Sequence, residues 1–470
     1  MSSPPKHDFV AEKKSEHDGG LSSAEEGSNF AIDRTPSYAV AGEVDDGSNE
    51  ADINYRTLEW WQAGVVLVAE TVSLGILSLP AVIATVGLVP GIILLVFMGI
   101  LSTYSGLVMG EFKKQYPHVD NFGDALEVLG NSIGQGRLFR EVFGWAQLIF
   151  QIFVMASHLL TFTICLNTLT GSSTCTIVWG VVGMLVFWAL NTPRTLKAAG
   201  YYAFASFASI FTAVLITMID VGIERPIGSM SIDITREIGF TSAFLAVTNI
   251  AVAFSGHSCF FSVMSEFKQP NDWPKALMLL QICDTSLYIV ASIVIYYYVG
   301  PTVPSPALSA AGSLTVRKVI WGIALPTIVL AGVIYGHVAA KYLFGRFFSG
   351  TRHVAKSTKT GWIGWLGITF GIWVLSWVIA ESIPVFSNLL GLVAALFASW
   401  FSYGIPGMLW LWMNWGEWTK NPSRIAVCAL NWLLVVVATV ICVCGLWSTG
   451  EAIAQDGGHD PWSCKSNAAA

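Results

Sequence analysis

Long apolar runs recur from about residue 60 to residue 447, separated by short polar stretches. A helix crossing a bilayer needs about 20 mostly apolar residues. Runs near that length fall at 60–84, 88–111, 141–166, 175–191, 200–220, 242–265, 276–299, 318–344, 362–381, 385–413 and 425–447. A membrane β-barrel would instead show strand-length segments of alternating polarity. The pattern therefore predicts an all-α polytopic membrane protein of eleven transmembrane helices. The tenth run carries Gly404, Pro406 and Gly407, so a kink is expected there. Between spans two and three, Phe122, Ala125, Leu126 and Leu129 share one face of a short amphipathic helix. It is expected on the cytoplasmic surface, with a place in an inner gate as the second reading.

Two runs are not plain. Span one contains Glu70-Thr71-Val72-Ser73-Leu74-Gly75-Ile76-Leu77-Ser78-Leu79-Pro80. Glycine weakens a helix and proline supplies no N–H. Broken backbone at membrane depth survives only where it faces protein, water or a ligand. Span one is therefore expected to break at mid-depth. Span six repeats the mixture in Ala251-Val252-Ala253-Phe254-Ser255-Gly256-His257-Ser258. The two stand five spans apart, and an odd repeat length inverts the second copy. Paired interruptions of this kind mark the substrate site of inverted-repeat transporters.

Composition divides the chain. Residues 1–59 hold 13 Asp/Glu against 5 Lys/Arg; the rest hold 18 against 20. Residues 1–56, rich in Ser, Gly and acids, are expected to form a disordered cytoplasmic tail. Lys6, Lys13 and Lys14 in it are candidate targets for ubiquitination or phosphorylation-linked machinery, a solvated tail being the plainer reading. The transporter domain is placed at 57–447 and a short extracellular tail at 448–470. With the N-terminus inside, fifteen loop Lys/Arg fall on the cytoplasmic side and five outside, as the positive-inside rule requires. Most cysteines lie in apolar runs; Cys175 and Cys464 lie near loops and can pair if both face outside. No basic patch suggests nucleic acid, and no metal-ligand spacing or catalytic motif suggests a metal site or an enzyme.

Gly75-Ile76-Leu77-Ser78-Leu79-Pro80 resembles the first-helix signature of the amino acid/auxin permease family. Phe254-Ser255-Gly256-His257 with Glu266, and Pro384 with Pro406, are similar to it as well. Within the family, the acidic tail and length look most like the neutral amino acid permeases of filamentous fungi, the methyltryptophan-resistance type. The resemblance implies a five-plus-five inverted repeat of the LeuT-like kind with broken helices one and six. It also implies import of neutral aliphatic and aromatic amino acids by proton symport, at the plasma membrane, with the vacuolar membrane as the alternative. A passive facilitator or channel and a non-transporting sensor are the competing readings.

An amino acid presents a carboxylate and an ammonium. Thr71, Val72, Ser73, Leu74 and Gly75 are the expected carboxylate end, through helix N–H groups and hydroxyls. Carbonyls of Ala253, Phe254 and Ser255 are the expected ammonium end, with Phe254 as a gate or wall. Each break is expected to satisfy the other's backbone. No cofactor is expected beyond a coupling proton. Its candidate carriers are Glu70, His257 and Asp284, because ionisable groups in a bilayer are functional by default. Structural hydrogen bonding is the plainer alternative for Glu70 and His257. His158 and His337 are also intramembrane, but nothing ties them to a break. Glu111, Glu266 and Glu381 stand at span ends, where solvation is expected. Sodium is the alternative coupling ion and would need oxygens from spans one and eight, where Thr327 is the obvious hydroxyl deep in span eight.

Overall fold

The computed structural model describes residues 58–194, 199–225, 232–351, 353, 358–455 and 460–468. The expected disordered tail at 1–56 lies outside the described residues. Every span-length element is helical: α1 (Trp60–Val86), α2 (Leu88–Gln115), α4 (Gly136–Thr170), α5 (Thr176–Leu190) and α6 (Ala199–Glu224) form the first repeat. The second repeat comprises α7 (Phe240–Ala253) with α8 (His257–Ser265), α9 (Trp273–Val299), α10 (Leu314–Phe347), α11 (Lys359–Ser382), and α12 (Phe386–Val393) continuing to α13 (Ile405–Met413). The last helix, α14, is Pro422–Gln455. Among the described residues ten helices are long and apolar enough to cross a membrane. The eleventh expected span is α5, apolar but only 15 residues, about 22 Å at helical rise.

Packing follows the repeat. Spans one, two, six and seven (α1, α2, α7, α9) touch one another, and spans three, four, eight and nine (α4, α5, α10, α11) form a second group. α6 bridges α1 and α10, and span ten leans on α14. The kink expected in span ten appears as two wide turns, Ala394–Ala398 and Trp400–Gly404. There Ser399 N–H reaches back to Ala394 O and Ile405 N–H to Trp400 O. Pro406 follows at once, unable to donate.

Residues between spans two and three form α3 (Phe122–Asn131), capped by Asn121, whose side chain accepts from Asp124 N–H. Its expected apolar face is docked on α4: Phe122, Ala125 and Leu126 are buried. Phe122 N–H also donates to Gln147 Oε1 at 3.0 Å.

The C-terminal stretch differs from a free tail. α14 continues through residues 448–455, and the described residues 460–468 fold back on α4 and α5. Cys464 is bonded to Cys175 in a disulfide. Asn467 Nδ2 donates to Thr163 Oγ1 at 2.8 Å and Thr176 Oγ1 donates to Lys465 O at 2.7 Å. Trp462 N–H bonds Glu381 O at 3.2 Å, and Glu381 is 6% exposed. Glu381 therefore does not sit in solvent as expected, because the returning tail covers it.

Candidate functional site

Span one does not break. α1 runs unbroken through Gly75 and Pro80. Its polar residues turn back on their own helix: Thr71 Oγ1 donates to Leu67 O, Ser73 Oγ to Glu70 O and Ser78 Oγ to Gly75 O, at 2.8, 3.0 and 3.0 Å. A helical proline removes one N–H, here the partner of Ile76 O, and one lost bond in a tightly packed helix does not open it. The free N–H groups expected at Ser73–Gly75 are thus engaged in the helix. Val72, Ser73, Leu74 and Gly75 are all buried.

Span six does break. α7 ends at Ala253 and α8 starts at His257. A helix end frees carbonyls that need donors. Ser255 turns back on Val252 O with both its N–H (3.1 Å) and its hydroxyl (2.7 Å). Tyr288 of α9 donates to Ala253 O at 2.9 Å, and Ser102 of α2 donates to Phe254 O at 3.1 Å. The expected reciprocity between the two breaks is therefore absent: spans two and seven, not span one, satisfy span six.

The two spans meet backbone to backbone. A Cβ placed on Gly75 would lie 2.9 Å from Ala253 Cα and 2.9 Å from the Tyr288 hydroxyl. One placed on Gly256 would lie 2.5 Å from Thr71 Cγ2. Only glycine allows this closeness, and in this conformation there is no room at the crossing even for a methyl group. Phe254 turns towards α9 and α2, edge-on to Tyr288 with ring centroids 5.3 Å apart, near Gly99.

The three candidate proton carriers separate. Glu70 is 4% exposed and faces Cys259 and Tyr335, with Oε1 lacking a hydrogen-bond partner. Asp284 is 1% exposed; its Oδ2 lies 2.7 Å from Thr71 Oγ1 and shares that hydroxyl's one proton with Leu67 O, and its Oδ1 is unpartnered. Glu70 lies within charge-interaction range of Asp284. Both flank Thr71 at the crossing, and among the described residues neither forms a salt bridge. His257 points elsewhere: its Nε2 meets Ser105 Oγ at 2.8 Å and Ser102 O at 3.2 Å, fastening α8 to α2. His158 bonds Ile328 O of α10 through Nδ1. Thr327 pairs with Ser206 of α6 at 2.8 Å.

The same ends of the two spans are tied together. Leu58 N–H donates to Glu266 O and Lys268 N–H to Leu58 O, at 3.0 and 2.9 Å. Glu59 pairs with Lys268 at 3.1 Å, and the hydrogen bond from Lys268 holds its carboxyl below the ordinary range.

Sequence reasoning missed Tyr288, Ser102 and Tyr335 as site residues. Span seven did carry a signal. Gln281, Asp284 and Tyr288 are spaced by three and four residues, one stripe of an otherwise apolar helix. Gln281 Nε2 donates to Ser102 Oγ at 3.0 Å, Asp284 accepts from Thr71, and Tyr288 caps Ala253. The stripe holds both spans.

Residues 56–450 match the family model described as transmembrane amino acid transporter protein. The N amino acid transport system protein of Neurospora crassa is 34% identical over 430 residues, 89% of this chain and 90% of that protein. A transmembrane transporter of Fusarium pseudograminearum is 30% identical over 372 residues, 77% of each chain. The solved structure of MhsT in complex with L-phenylalanine shares the fold at TM-score 0.52 with 13% identity, covering 84% of this chain and 99% of that one. The family is one of transporters rather than enzymes. The chain belongs to the family of transmembrane amino acid transporter proteins.

Proposed function

We propose that this protein imports neutral amino acids, aliphatic and aromatic, by proton symport with alternating access. The observation that carries the reading is the α1–α7 crossing. Two close-packed backbones meet at mid-membrane, flanked by Glu70 and Asp284, each with an unpartnered carboxyl oxygen. Isolated charge at that depth costs several kcal/mol, so each carboxyl is stable as the neutral acid or beside a cation. A zwitterion needs no net protein charge. Its ammonium would take carbonyls at Ala253–Ser255, and its carboxylate would take Thr71–Gly75 once α1 opens locally. Glu70 is the first candidate for the coupling proton and Asp284 the second. The relative named for amino acid transport and the L-phenylalanine bound to MhsT support the substrate class.

The proposed setting is the plasma membrane, N-terminus inside and C-terminus outside. The loop charge bias supports it. So does the Cys175–Cys464 bond, since disulfides persist on oxidising faces. Regulation through the acidic N-terminal tail remains part of the same proposal.

The test uses the full chain in proteoliposomes with an imposed proton gradient and one labelled neutral amino acid. Uptake should exceed equilibrium, collapse with an uncoupler, and be competed by neutral but not acidic or basic amino acids. Equilibration that ignores the uncoupler would make the protein a facilitator. Binding without flux would make it a sensor, and drive by a sodium gradient alone would replace the proton.

A further inference from the structure

We propose that the Tyr288 hydroxyl is a built-in stand-in for the substrate's ammonium, occupying the carbonyls at the crossing and setting how tightly a substrate binds. The inference rests on the site reading above and adds a residue to it.

The Tyr288 hydroxyl is 2.9 Å from Ala253 O and 3.0 Å from Thr71 O. Those carbonyls belong to span six and span one. A phenol has one proton to donate, so the two acceptors share it and neither bond is full. Ala253 O is a freed carbonyl at the end of α7. The one beside it, Phe254 O, is met by another neutral hydroxyl, that of Ser102. A primary ammonium has three protons and a positive charge, and charge-assisted hydrogen bonds are roughly twice as strong as neutral ones. The same carbonyls thus present a better site for an ammonium than for the phenol that fills it.

Space makes the two mutually exclusive. Tyr288 is fully buried, and its hydroxyl lies where a Cβ on Gly75 would collide. An ammonium can take the place between Ala253 O and Thr71 O only if the phenol, against which the Phe254 ring packs, leaves it. Every binding event therefore breaks the Tyr288 bonds first. The hydroxyl keeps the crossing closed and polar-satisfied between substrates, and its removal favours the substrate.

A plain structural cap would behave differently, and the two roles part at Tyr288→Phe. The variant should lower the KM for a neutral amino acid about 3- to 10-fold, the worth of one hydrogen bond, with lower intrinsic thermal stability. Substrate should stabilise it more than it stabilises the wild type. An unchanged or raised KM together with lost stability would make Tyr288 a structural cap and overturn the proposal. Should that variant fail to fold, 3-fluorotyrosine placed at position 288 of the otherwise native chain gives the second readout. Its fluorine resonance should move at saturating amino acid; a resonance that stays put overturns the proposal equally. Gly75→Val, measured in parallel, isolates the parent reading. If Gly75→Val transports normally, the site itself is misplaced. If Gly75→Val is inactive while Tyr288→Phe keeps the wild-type KM, only the stand-in role fails.

Discussion

Spans one and six carry similar residues at mid-depth, glycine and serine among apolar neighbours with an ionisable group close by, yet only one of them breaks. In α1 the hydroxyls of Thr71, Ser73 and Ser78 return to carbonyls of their own helix. In span six the carbonyls of Ala253 and Phe254 find donors on α9 and α2. A helix in hydrocarbon opens only where a neighbour supplies what it gives up. The stripe Gln281–Asp284–Tyr288 is placed to do that for span six, while the same stripe meets span one through Thr71. Whether a polar run breaks is thus decided by the partner helix as much as by its own residues. On the proposed reading, the continuous helix is the half that must change most to offer N–H groups to a substrate carboxylate.

The contrast can be broken most severely at Gly256. A valine there would meet Thr71 Cγ2, wedging α8 away from α1. Overpacking of this kind costs about 1–3 kcal/mol. Gly256→Val should lose nearly all uptake while still reaching the membrane, as read by labelled uptake beside surface biotinylation. Glu70→Gln comes next. It preserves shape and removes the titrating group beside span six's Cys259. Uptake should fall at least about tenfold, as expected for a lost proton-transfer group, and the remainder should lose its pH dependence. An unaltered pH profile would pass the role to Asp284.

A smaller effect is expected from Ser73→Ala with Ser78→Ala. Hydroxyls that bond back within a helix weaken and bend it slightly, so their loss should stiffen α1 and slow turnover a few-fold without altering span six. Amide hydrogen exchange across residues 70–80 would register the change. Least affected should be Asp124→Asn, on α3 and away from the α1–α7 crossing. Burial pushes the Asp124 carboxyl from its ordinary 3.8 up to about 6, against the pull of Arg140. A carboxyl raised on folding contributes its stability below the unfolded value and loses it as pH rises through about 6. Asp124→Asn should therefore raise thermal stability at pH 8, on the order of 1 kcal/mol, and make no gain at pH 4.

Much of the architecture was legible in the runs of apolar residues, since span length and hydropathy answer directly to bilayer thickness. So was the shortness of α5, whose apolar run at 175–191 is barely longer than the 15-residue helix Thr176–Leu190. Its apolar composition matches a span, but its ends are fixed by Cys175 in the disulfide and by Pro193 just beyond Leu190. The crossing was half legible. Gly75 and the Ala253–Gly256 segment marked the contact, because close backbone approach requires small residues. The state of each backbone was not, because Tyr288 and Ser102 lie elsewhere in the sequence and only packing brings them in. The return of the C-terminal tail was half legible too: Cys175 and Cys464 could be matched as loop cysteines, but the cover laid over Glu381 comes only from packing.

The central claim is that amino acids bind where α1 meets α7, and equilibrium binding to purified Gly75→Val tests it without reference to energy coupling. A labelled neutral amino acid should bind the wild type saturably and the variant at least about 100-fold more weakly, as expected when a core-sized clash fills the site, with the variant still folded at the binding temperature although its thermal midpoint is lowered by the overpacking. Wild-type affinity in Gly75→Val would contradict the account and move the site away from the crossing.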